Sequence, residues 1–244
     1  MEPGYYADYF YLEERHWYFI ARRRILLDLL ARTVPPDGRR TVLDVGCGTG
    51  IILPELARWG AVTGMDSSPL ALDFCRQRGA AAVRAGSATA IAVPDASQDV
   101  VTSLDVLEHV ADDAAAAAEL ARVLKPGGTL LLTVPALPAL WSHHDVINRH
   151  CRRYTAAVLA RVVRGAGLTV TKLSYFNSIM LPAVALVRAV QKLCARRLEA
   201  KHDMGMPPAP LNALLTELFA AERFWLRGAN LPLGVSLVCL AKKP

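Results

Sequence analysis

The segment Val42–Gly50 constrains the fold of this 244-residue chain more than any other feature of the sequence. An apolar, β-branched run, Thr41–Val45, leads directly into glycines at positions 46, 48 and 50. Apolar runs without alternation are typical of strands buried on both faces of a parallel sheet, and glycines let the backbone turn sharply and approach a ligand. A second apolar run, Ala61–Met65, ends at Asp66, whose carboxylate can accept hydrogen bonds from both hydroxyls of a ribose. Together these features predict a pocket for a nucleoside-containing cofactor.

Strands and helices alternate along the chain around this pocket. We predict a helix over Ile51–Arg58, whose N-terminal amides face the ligand, and a helix from Pro69 to Gln77, capped by Ser67 or Ser68. Further helices are predicted over 5–31, from Asp112 or Asp113 to the Lys125–Gly128 turn, and over Thr155–Arg164. Further strands are predicted at Ala82–Arg84, Val100–Leu104, Thr129–Val134, Leu168–Ser174 and Gly234–Ala241. This alternation predicts an α/β fold with a doubly wound, mostly parallel sheet and a ligand at the carboxyl ends of its strands.

Two segments are longer than ordinary loops. One follows the fifth strand, over 136–154, and one separates the last two strands, over 176–230. Both contain apolar residues and prolines, so we predict a lid or cap over the substrate, with two or three helices in the longer segment. The chain is predicted to be one domain over 1–244, with an N-terminal helical cover at 1–36 and a core formed by 37–175 and 231–244.

Four motifs give the chain a family resemblance. They are LDVGCGTG at 43–50, the acid Asp66 at a strand end, DVVTSLDVLEHV at 99–110 and LKPGGTLLLTVP at 124–135. In this order and spacing they resemble the class I S-adenosylmethionine-dependent methyltransferases, over about residues 40–175 and the last ten. A dinucleotide-binding dehydrogenase would show GxGxxG, whereas this chain has GxGxG. The resemblance implies a Rossmann-like, seven-stranded, mostly parallel sheet with helices on both faces, an N-terminal helical cover, and a helical cap inserted between strands six and seven.

The resemblance also implies a cofactor, S-adenosyl-L-methionine, with S-adenosyl-L-homocysteine as its product. Asp44 and the three glycines would surround the methionine part, and Asp66 would hold the ribose. Related enzymes show Gly-Asp-Ala at the adenine, whereas this chain has the neutral Ser87, which gives a weaker hydrogen bond than a carboxylate. Arg22 is expected to meet the methionine carboxylate, although an amphipathic helix packed on the sheet would show the same pattern. The implied set is Arg22, Asp44, Gly46, Cys47, Gly48, Gly50, Asp66, Ser67, Ser87, Ala88, Leu104 and Asp105.

The segment after the fifth strand contains the candidate catalytic residues. Because histidine titrates near neutral pH, we expect His143 or His144 to act as a general base toward a hydroxyl or amine acceptor, with Asp145 as its orienting partner. A helix-capping and interface cluster explains these residues equally well. No two histidines of the segment have the i, i+4 spacing of a helical zinc motif, so we predict no metal. Glu108 and His109 are interpreted as a helix-start acid and a packed histidine.

Charge is unevenly distributed along the chain. Residues 41–135 carry 6 basic and 11 acidic side chains, whereas residues 136–244 carry 15 basic and 5 acidic ones. The basic half predicts an anionic substrate group or membrane surface as its partner, or simply solvated helix faces. The apolar run Ile179–Val190 is far shorter than the about 20 residues of a membrane span. The basic amphipathic helix formed by Arg188, Lys192, Arg196 and Arg197 is interpreted as a solvated cap face, with peripheral contact to anionic lipid or to a substrate phosphate as the alternatives.

Cysteine usage predicts the compartment. The five cysteines are odd in number, scattered and without a CxxC pair, and the sequence shows no signal peptide. We therefore expect reduced thiols, no disulfide framework and a cytoplasmic protein.

The cofactor and the cap together predict the reaction. We expect in-line methyl transfer to a small, largely hydrophobic acceptor of the lipid, isoprenoid or natural-product type. The basic residues of the cap indicate that this acceptor carries an anionic group. One alternative is a cofactor-binding cyclisation or binding module that transfers no methyl group. Another is a nucleic-acid methyltransferase, which is disfavoured because Ser103–Val106 stands where an Asn-Pro-Pro-Tyr motif would be, so no nucleic-acid partner is expected. The acceptor atom and the oligomeric state are left open.

Overall fold

The computed structural model describes residues 3–80, 82–193 and 205–244. Its strands form one sheet in the order β3-β2-β1-β4-β5-β7-β6, in which β7 runs antiparallel to both of its neighbours and the other pairs are parallel. The strands are β1 (Arg40–Val45), β2 (Gly60–Asp66), β3 (Val83–Ala85), β4 (Gln98–Leu104), β5 (Leu124–Pro135), β6 (Thr169–Phe176) and β7 (Ser236–Lys242). The predicted Rossmann-like, seven-stranded and mostly parallel sheet is therefore confirmed.

Helices cover both faces of this sheet. Several begin at side chains that accept a hydrogen bond from the first turn, as Ser68 does from Ala71 N and Thr155 does from Val158 N. The helices are α1 (Pro3–Arg15), α2 (Trp17–Thr33), α3 (Leu53–Leu56), α4 (Pro69–Gln77), α5 (Asp113–Val123), α6 (His143–Ile147), α7 (Ala156–Gly165), α8 (Leu181–Leu193), α9 (Ala209–Ala220) and α10 (Glu222–Leu226). The predicted N-terminal cover corresponds to α1 and α2, and three described helices stand between β6 and β7.

The core has two layers because successive residues of a strand point to opposite faces. On β5, Leu130 and Leu132 pack with the layer of α5 and α7, whereas Leu131 packs with α2, α9 and α10. This division explains why the central strands show continuous apolar runs in the sequence: both of their faces are buried.

The first helix after the glycines is shorter than predicted. The sequence predicts a helix over Ile51–Arg58, but α3 is a single turn, and the backbone continues in tighter i→i+3 bonds such as Trp59 N to Leu56 O at 2.9 Å. Trp59 is fully buried, and its indole N–H donates to the carbonyl of Val34 at 2.6 Å. The Trp59 ring packs with residues of α2 at the point where α3 ends in these i→i+3 bonds. The predicted length of this helix is therefore wrong, whereas the facing of its N-terminal amides toward the ligand stays a prediction.

The segment between β6 and β7 has two roles. Phe219 of α9 is fully buried and stacks on Phe176 of β6, with ring centroids 6.3 Å apart, so α9 belongs to the core rather than to a lid. Asn212, also in α9, joins this helix to α2: its side-chain oxygen accepts a hydrogen bond from the backbone N–H of Trp17 at 2.9 Å. Of the three helices that the structure describes in this segment, α8 alone faces the cavity described below. The basic side chains Lys192, Arg196 and Arg197 lie outside the described side chains, so the interpretation of that face stays a prediction. Among the described residues, none of the helices combines the length and apolar character needed to cross a bilayer.

Candidate cofactor and acceptor site

A cavity of about 990 Å³ opens at the carboxyl ends of the parallel strands. Its floor is formed where β1, β2, β4 and β5 end, and its walls come from α1, α2 and α8. This volume lies at the upper end of the range typical of small-molecule sites. The position is the one predicted from the alternation of strands and helices.

The glycine turn forms the floor of the cavity beside β1. Gly46 has a φ of +74°, and a Cβ there would lie 2.3 Å from Cγ2 of Val106, so no larger residue fits. Gly48 has a φ of +55° but nothing within 4 Å of a Cβ, because it borders the cavity. Gly50 departs from the predicted set: it does not line the cavity but packs on α4, where a Cβ would lie 2.8 Å from Cys75 Sγ. The other predicted cofactor residues all line the cavity.

Two carboxylates stand at the ends of neighbouring strands. Asp66 accepts from Gly48 N at 3.0 Å and from Ser68 N at 2.9 Å, and burial raises the pKa of its carboxyl. Asp44 is buried, and it accepts a hydrogen bond from Thr102 Oγ1 at 2.5 Å. Burial, which outweighs this hydrogen bond, raises the pKa of Asp44 to about 6. Both acids are therefore placed to gain from a cationic or hydroxyl-bearing ligand.

Ser87 follows β3 and stands close to Asp66, because the preceding Gly86 N donates to the carbonyl of Asp66 at 3.1 Å. Its hydroxyl accepts from Thr89 N at 3.2 Å and lies 3.0 Å from the Thr89 hydroxyl, so it organises the turn after β3. Ser87 is exposed toward the cavity. Its predicted contact with the adenine stays a prediction.

Helix α1 is held over the glycine turn by contacts that sequence reasoning missed. Thr49 donates to Glu13 of α1, and the buried Arg78 donates to the carbonyl of Phe10 at 2.5 Å. The Arg78 guanidinium also lies 4.0 Å from the centre of the Phe10 ring and pairs with Glu14. These partners are 64 or more residues from Arg78 except Thr49, at 29, and no local pattern signals them.

Arg22 reaches the cavity from α2 and crosses to the end of β4. Its guanidinium lies 2.8 Å from Asp105 Oδ2 and donates to Thr133 Oγ1 at 2.6 Å. Its Nε is buried without a hydrogen-bond partner. Asp105 has a φ of +57°, so the chain turns into the cavity directly after β4. The predicted contact between Arg22 and the methionine carboxylate stays a prediction.

The predicted catalytic residues are distributed differently from the expectation. His143 is exposed and lies outside the cavity lining, whereas His144 lines the cavity. Asp145 is fully buried and orients neither of them: it binds His150 Nδ1 at 2.9 Å and Arg153 Nε at 2.7 Å. It also accepts from Ser142 N at 2.9 Å as part of a capping box on α6. The predicted pairing of Asp145 with His143 or His144 is corrected by these contacts, because the turn after α6 brings His150 back to the carboxylate.

A second group of titratable residues faces the cavity from β4 and the following turn. Glu108 is fully buried with no hydrogen-bond partner for either carboxylate oxygen, and burial raises its pKa well above the ordinary value. His109 is exposed toward the cavity and lies edge-on to His150, with ring centroids 4.7 Å apart. Glu108 does lie in the first turn of a short helix, Leu107–His109, and His109 does pack against His150, as interpreted, but both side chains also line the cavity.

Comparison with known proteins identifies the family of this site. A family model described as a methyltransferase domain matches residues 43–132. The ubiquinone biosynthesis O-methyltransferase of Paracidovorax citrulli is 32% identical over 174 residues, a match that covers 65% of this chain and 68% of that protein. The chain belongs to the class I S-adenosylmethionine-dependent methyltransferases. The match spans about half to two thirds of the length of the curated relatives.

Solved structures share the fold of this methyltransferase. The methyltransferase solved in complex with the Haloferax volcanii Trm112 methyltransferase activator superposes with a TM-score of 0.64, at 22% identity, covering 99% of this chain and 95% of that one. At that identity the likeness shows the fold alone. The [4+2]-cyclase SpnF superposes with a TM-score of 0.58, at 25% identity, covering 91% of this chain and 81% of that one.

The cofactor of this methyltransferase family is S-adenosylmethionine, and the cavity fits it. Gly48 leaves open space where any other residue would place a Cβ, which allows close approach of a ligand to the backbone. Asp44 supplies a buried carboxylate for an ammonium group, a partner without which burial of that charge would be costly. Asp66 supplies a second carboxylate on the neighbouring strand.

Proposed function

We propose that this protein transfers the methyl group of S-adenosylmethionine to a hydroxyl oxygen of a small, largely apolar acceptor that carries an anionic group. The observation that carries the proposal is the continuity of one cavity. It runs from the glycine turn to an apolar wall formed by Met180, Ala183 and Val184, with Arg153 and Arg188 on its lining. An acceptor bound against that wall shares a chamber with the cofactor, and the positive charge of Arg188 favours a negative group on it. Arg153 is paired with Asp145.

We assign the cofactor-binding roles as follows. Asp66 accepts hydrogen bonds from the ribose hydroxyls, Asp44 meets the ammonium group, and Ser87 borders the adenine. Leu104 and Asp105, at the end of β4, border the reacting end of the cavity. The support is their common lining of the cavity, together with the family to which the chain belongs.

The chemistry depends mainly on alignment. Bound S-adenosylmethionine supplies an electrophilic methyl group, and the walls from α1, α2 and α8 hold the acceptor in line and exclude water. Orientation of this kind is able to supply about 7–11 kcal/mol when the geometry is optimal. A hydroxyl acceptor must also lose its proton. Burial lowers the pKa of His144 to about 4, so its imidazole is neutral near pH 7 but is only a weak acceptor for that proton.

The choice of a hydroxyl oxygen rests on the relatives. Several are named ubiquinone biosynthesis O-methyltransferases, which indicates transfer to oxygen in those proteins. A hydroxyl acceptor also agrees with the lowered pKa values of His109 and His144 on the cavity wall, because an acceptor without a proton would need no neutral base nearby.

A matched acceptor panel tests the proposal. Purified protein and S-adenosylmethionine would be incubated with apolar phenols, each with and without a carboxylate, and with polar amines, and S-adenosylhomocysteine would be quantified by mass spectrometry. We expect product with the apolar phenols and more of it with the carboxylated members. Turnover of the polar amines alone would contradict the assignment of the acceptor.

Cyclisation without methyl transfer is a second candidate, favoured by the likeness to the [4+2]-cyclase SpnF. In that case substrate would be consumed while the cofactor remains unchanged. The same assay separates the two candidates, since conversion without S-adenosylhomocysteine would support cyclisation. We do not expect nucleic acid as a partner. Salt-sensitive binding of RNA or DNA by the purified protein would instead support the nucleic-acid methyltransferase alternative.

A further inference from the structure

Three potential metal ligands meet at the acceptor end of the cavity. Glu108 and His109 lie in the turn after β4, and His150 lies in the loop after α6. A backbone hydrogen bond joins the two segments, from Cys151 N to the carbonyl of Glu108 at 2.6 Å. As a result, one ligand atom from each of the three side chains lies within 4.8 Å of the others. All three line the cavity.

The Glu108 carboxylate lacks the partners that burial normally requires. It is 0% exposed, and neither of its oxygens has a hydrogen-bond partner. A buried acceptor without a partner costs about 1–3 kcal/mol, and more when it is charged. A bound cation would remove this cost.

His150 is already oriented as a metal ligand. Its Nδ1 binds Asp145, which leaves Nε2 as the nitrogen without that bond. Asp145 is itself held by Arg153 and by the backbone of Ser142. A carboxylate behind a histidine is the usual arrangement around metal-bound imidazoles, because it fixes the ring and raises its basicity.

We propose that Glu108, His109 and His150 bind a divalent transition-metal ion on the acceptor side of the cavity. Two imidazoles and one carboxylate suit Zn²⁺, Co²⁺, Mn²⁺ or Fe²⁺ better than Mg²⁺ or Ca²⁺, which prefer oxygen ligands. Ligand atoms of a tetrahedral site with bonds of about 2.1 Å lie about 3.4 Å apart, so small side-chain rotations close the site. Three protein ligands leave one coordination position open toward the cavity. The proposal replaces the sequence-based expectation of no metal.

The open position has a consequence for the acceptor, which rests on the proposed function. The hydroxyl oxygen of the acceptor would bind the metal as an oxyanion, and its proton would be released to water. A metal ion lowers the pKa of bound oxygen ligands, so this proton can be lost near neutral pH. Metal binding itself does not depend on the acceptor.

Cobalt titration tests the site directly. Protein stripped with a chelator would be titrated with Co²⁺, following the visible d–d absorption, and metal content after Zn²⁺ reconstitution would be measured by mass spectrometry. We expect one equivalent in the wild type, with affinity reduced about 100-fold or more by Glu108→Gln and by His150→Gln. His143→Ala removes a nearby exposed histidine and should leave binding unchanged.

Controls separate failure of this site from failure of the proposed function. S-adenosylhomocysteine binding and thermal melting show whether each variant is folded, and His109→Asn replaces any variant that is not. Less than about 0.1 equivalent of metal in the wild type, or wild-type affinity in the Glu108 and His150 variants, would overturn the metal site. Stoichiometric metal without methyl transfer to any acceptor would instead contradict the proposed function alone.

Discussion

Asp44 shows how burial changes the chemistry of a single residue. Its carboxylate is the proposed partner of a cationic ammonium group, yet burial raises its pKa to about 6. Protonation of Asp44 therefore competes with cofactor binding just below neutral pH. Low pH has the opposite effect on the stability of the free protein, because the raised pKa means that the folded state binds the proton of Asp44 more tightly than the unfolded state. This contribution to the free energy of unfolding is fully present below about pH 3.8 and is lost as the pH rises through about 6.

We predict that the affinity for S-adenosylhomocysteine falls by up to about tenfold per pH unit below pH 6. Each pH unit below the pKa of Asp44 adds about 1.4 kcal/mol to the free energy needed to deprotonate its carboxyl. Asp44→Asn should weaken binding at pH 8 and flatten the pH profile. It should not abolish the dependence, because burial also raises the pKa of Asp66. Calorimetry between pH 5 and 8 measures the effect, with Asp73→Asn, a surface residue paired with Arg76, as the control. A flat wild-type profile would count against the role of Asp44.

Gly48 offers a matched test of close approach by a ligand. Gly48 and Gly79 both have positive φ, +55° and +82°, and neither has an atom within 4 Å of a Cβ. Alanine at either position should therefore cost a similar about 1–2 kcal/mol of stability. Only Gly48→Ala places a methyl group in the cofactor space, so it alone should lower S-adenosylhomocysteine affinity, by at least about tenfold. Equal affinities in the two variants would show that the cofactor does not approach this turn.

At the scale of elements, Arg78 couples α4 to α1. Its buried guanidinium contacts Phe10, Glu13 and Glu14, and α1 forms a wall of the cavity. Arg78→Gln should remove about 1.5–3 kcal/mol of charge-assisted hydrogen bonding, so α1 should open about 10- to 100-fold more often. We expect faster dissociation of S-adenosylhomocysteine in stopped flow and faster proteolysis within residues 3–15. Arg76→Gln is the control, since Arg76 pairs only at the surface with Asp73; identical dissociation rates in both variants would refute the coupling.

Glu222 connects the start of α10 to the end of β6. Its buried carboxylate accepts from the backbone N–H groups of Asn177 and Ser178, each at 2.7 Å, and of Ile179 at 2.8 Å. Glu222→Gln should lower the free energy of unfolding by about 2 kcal/mol and Tm by about 4–8 °C, because one acceptor oxygen becomes a donor.

The neighbouring Glu217 provides the control for this change. It forms an exposed ion pair with Arg24, and its replacement by glutamine should cost less than about 1 kcal/mol. Calorimetric or circular-dichroism melting compares the two variants. Equal changes in Tm would mean that the backbone of 177–179 finds other partners.

For the whole molecule, the cavity joins the sheet to α1, α2 and α8, so its ligand should stabilise the entire fold. S-adenosylhomocysteine at about 100 times its Kd should add about 2.7 kcal/mol and raise Tm by about 5–10 °C. Adenosine lacks the amino-acid part and cannot reach Asp44, so at the same concentration its shift should be smaller. Equal shifts in Tm for the two ligands in differential scanning fluorimetry would show that Asp44 does not contact the bound ligand.

The sheet could be predicted from the sequence because its signals are local. Buried strands such as Val100–Leu104 appear as apolar runs, and the glycine turn with Asp66 marks the ends of β1 and β2. The position of the cavity at the carboxyl ends of these strands follows from the same motifs. The cluster around His150 could not be predicted: His150 meets Asp145, Glu108 and His109 only because the loop after α6 folds back to the turn after β4.

Features formed by neighbours along the chain follow from local residue patterns: buried strands, a glycine turn and the acid that follows the second strand. Contacts between distant side chains depend on how the chain folds. Because Phe219 is buried, α9 belongs to the core and not to the predicted lid. Arg78 holds α1 over the cavity through its hydrogen bond to Phe10. Hydrophobic burial and the pairing of buried charges depend on proximity in space, and no periodicity along the chain encodes that proximity.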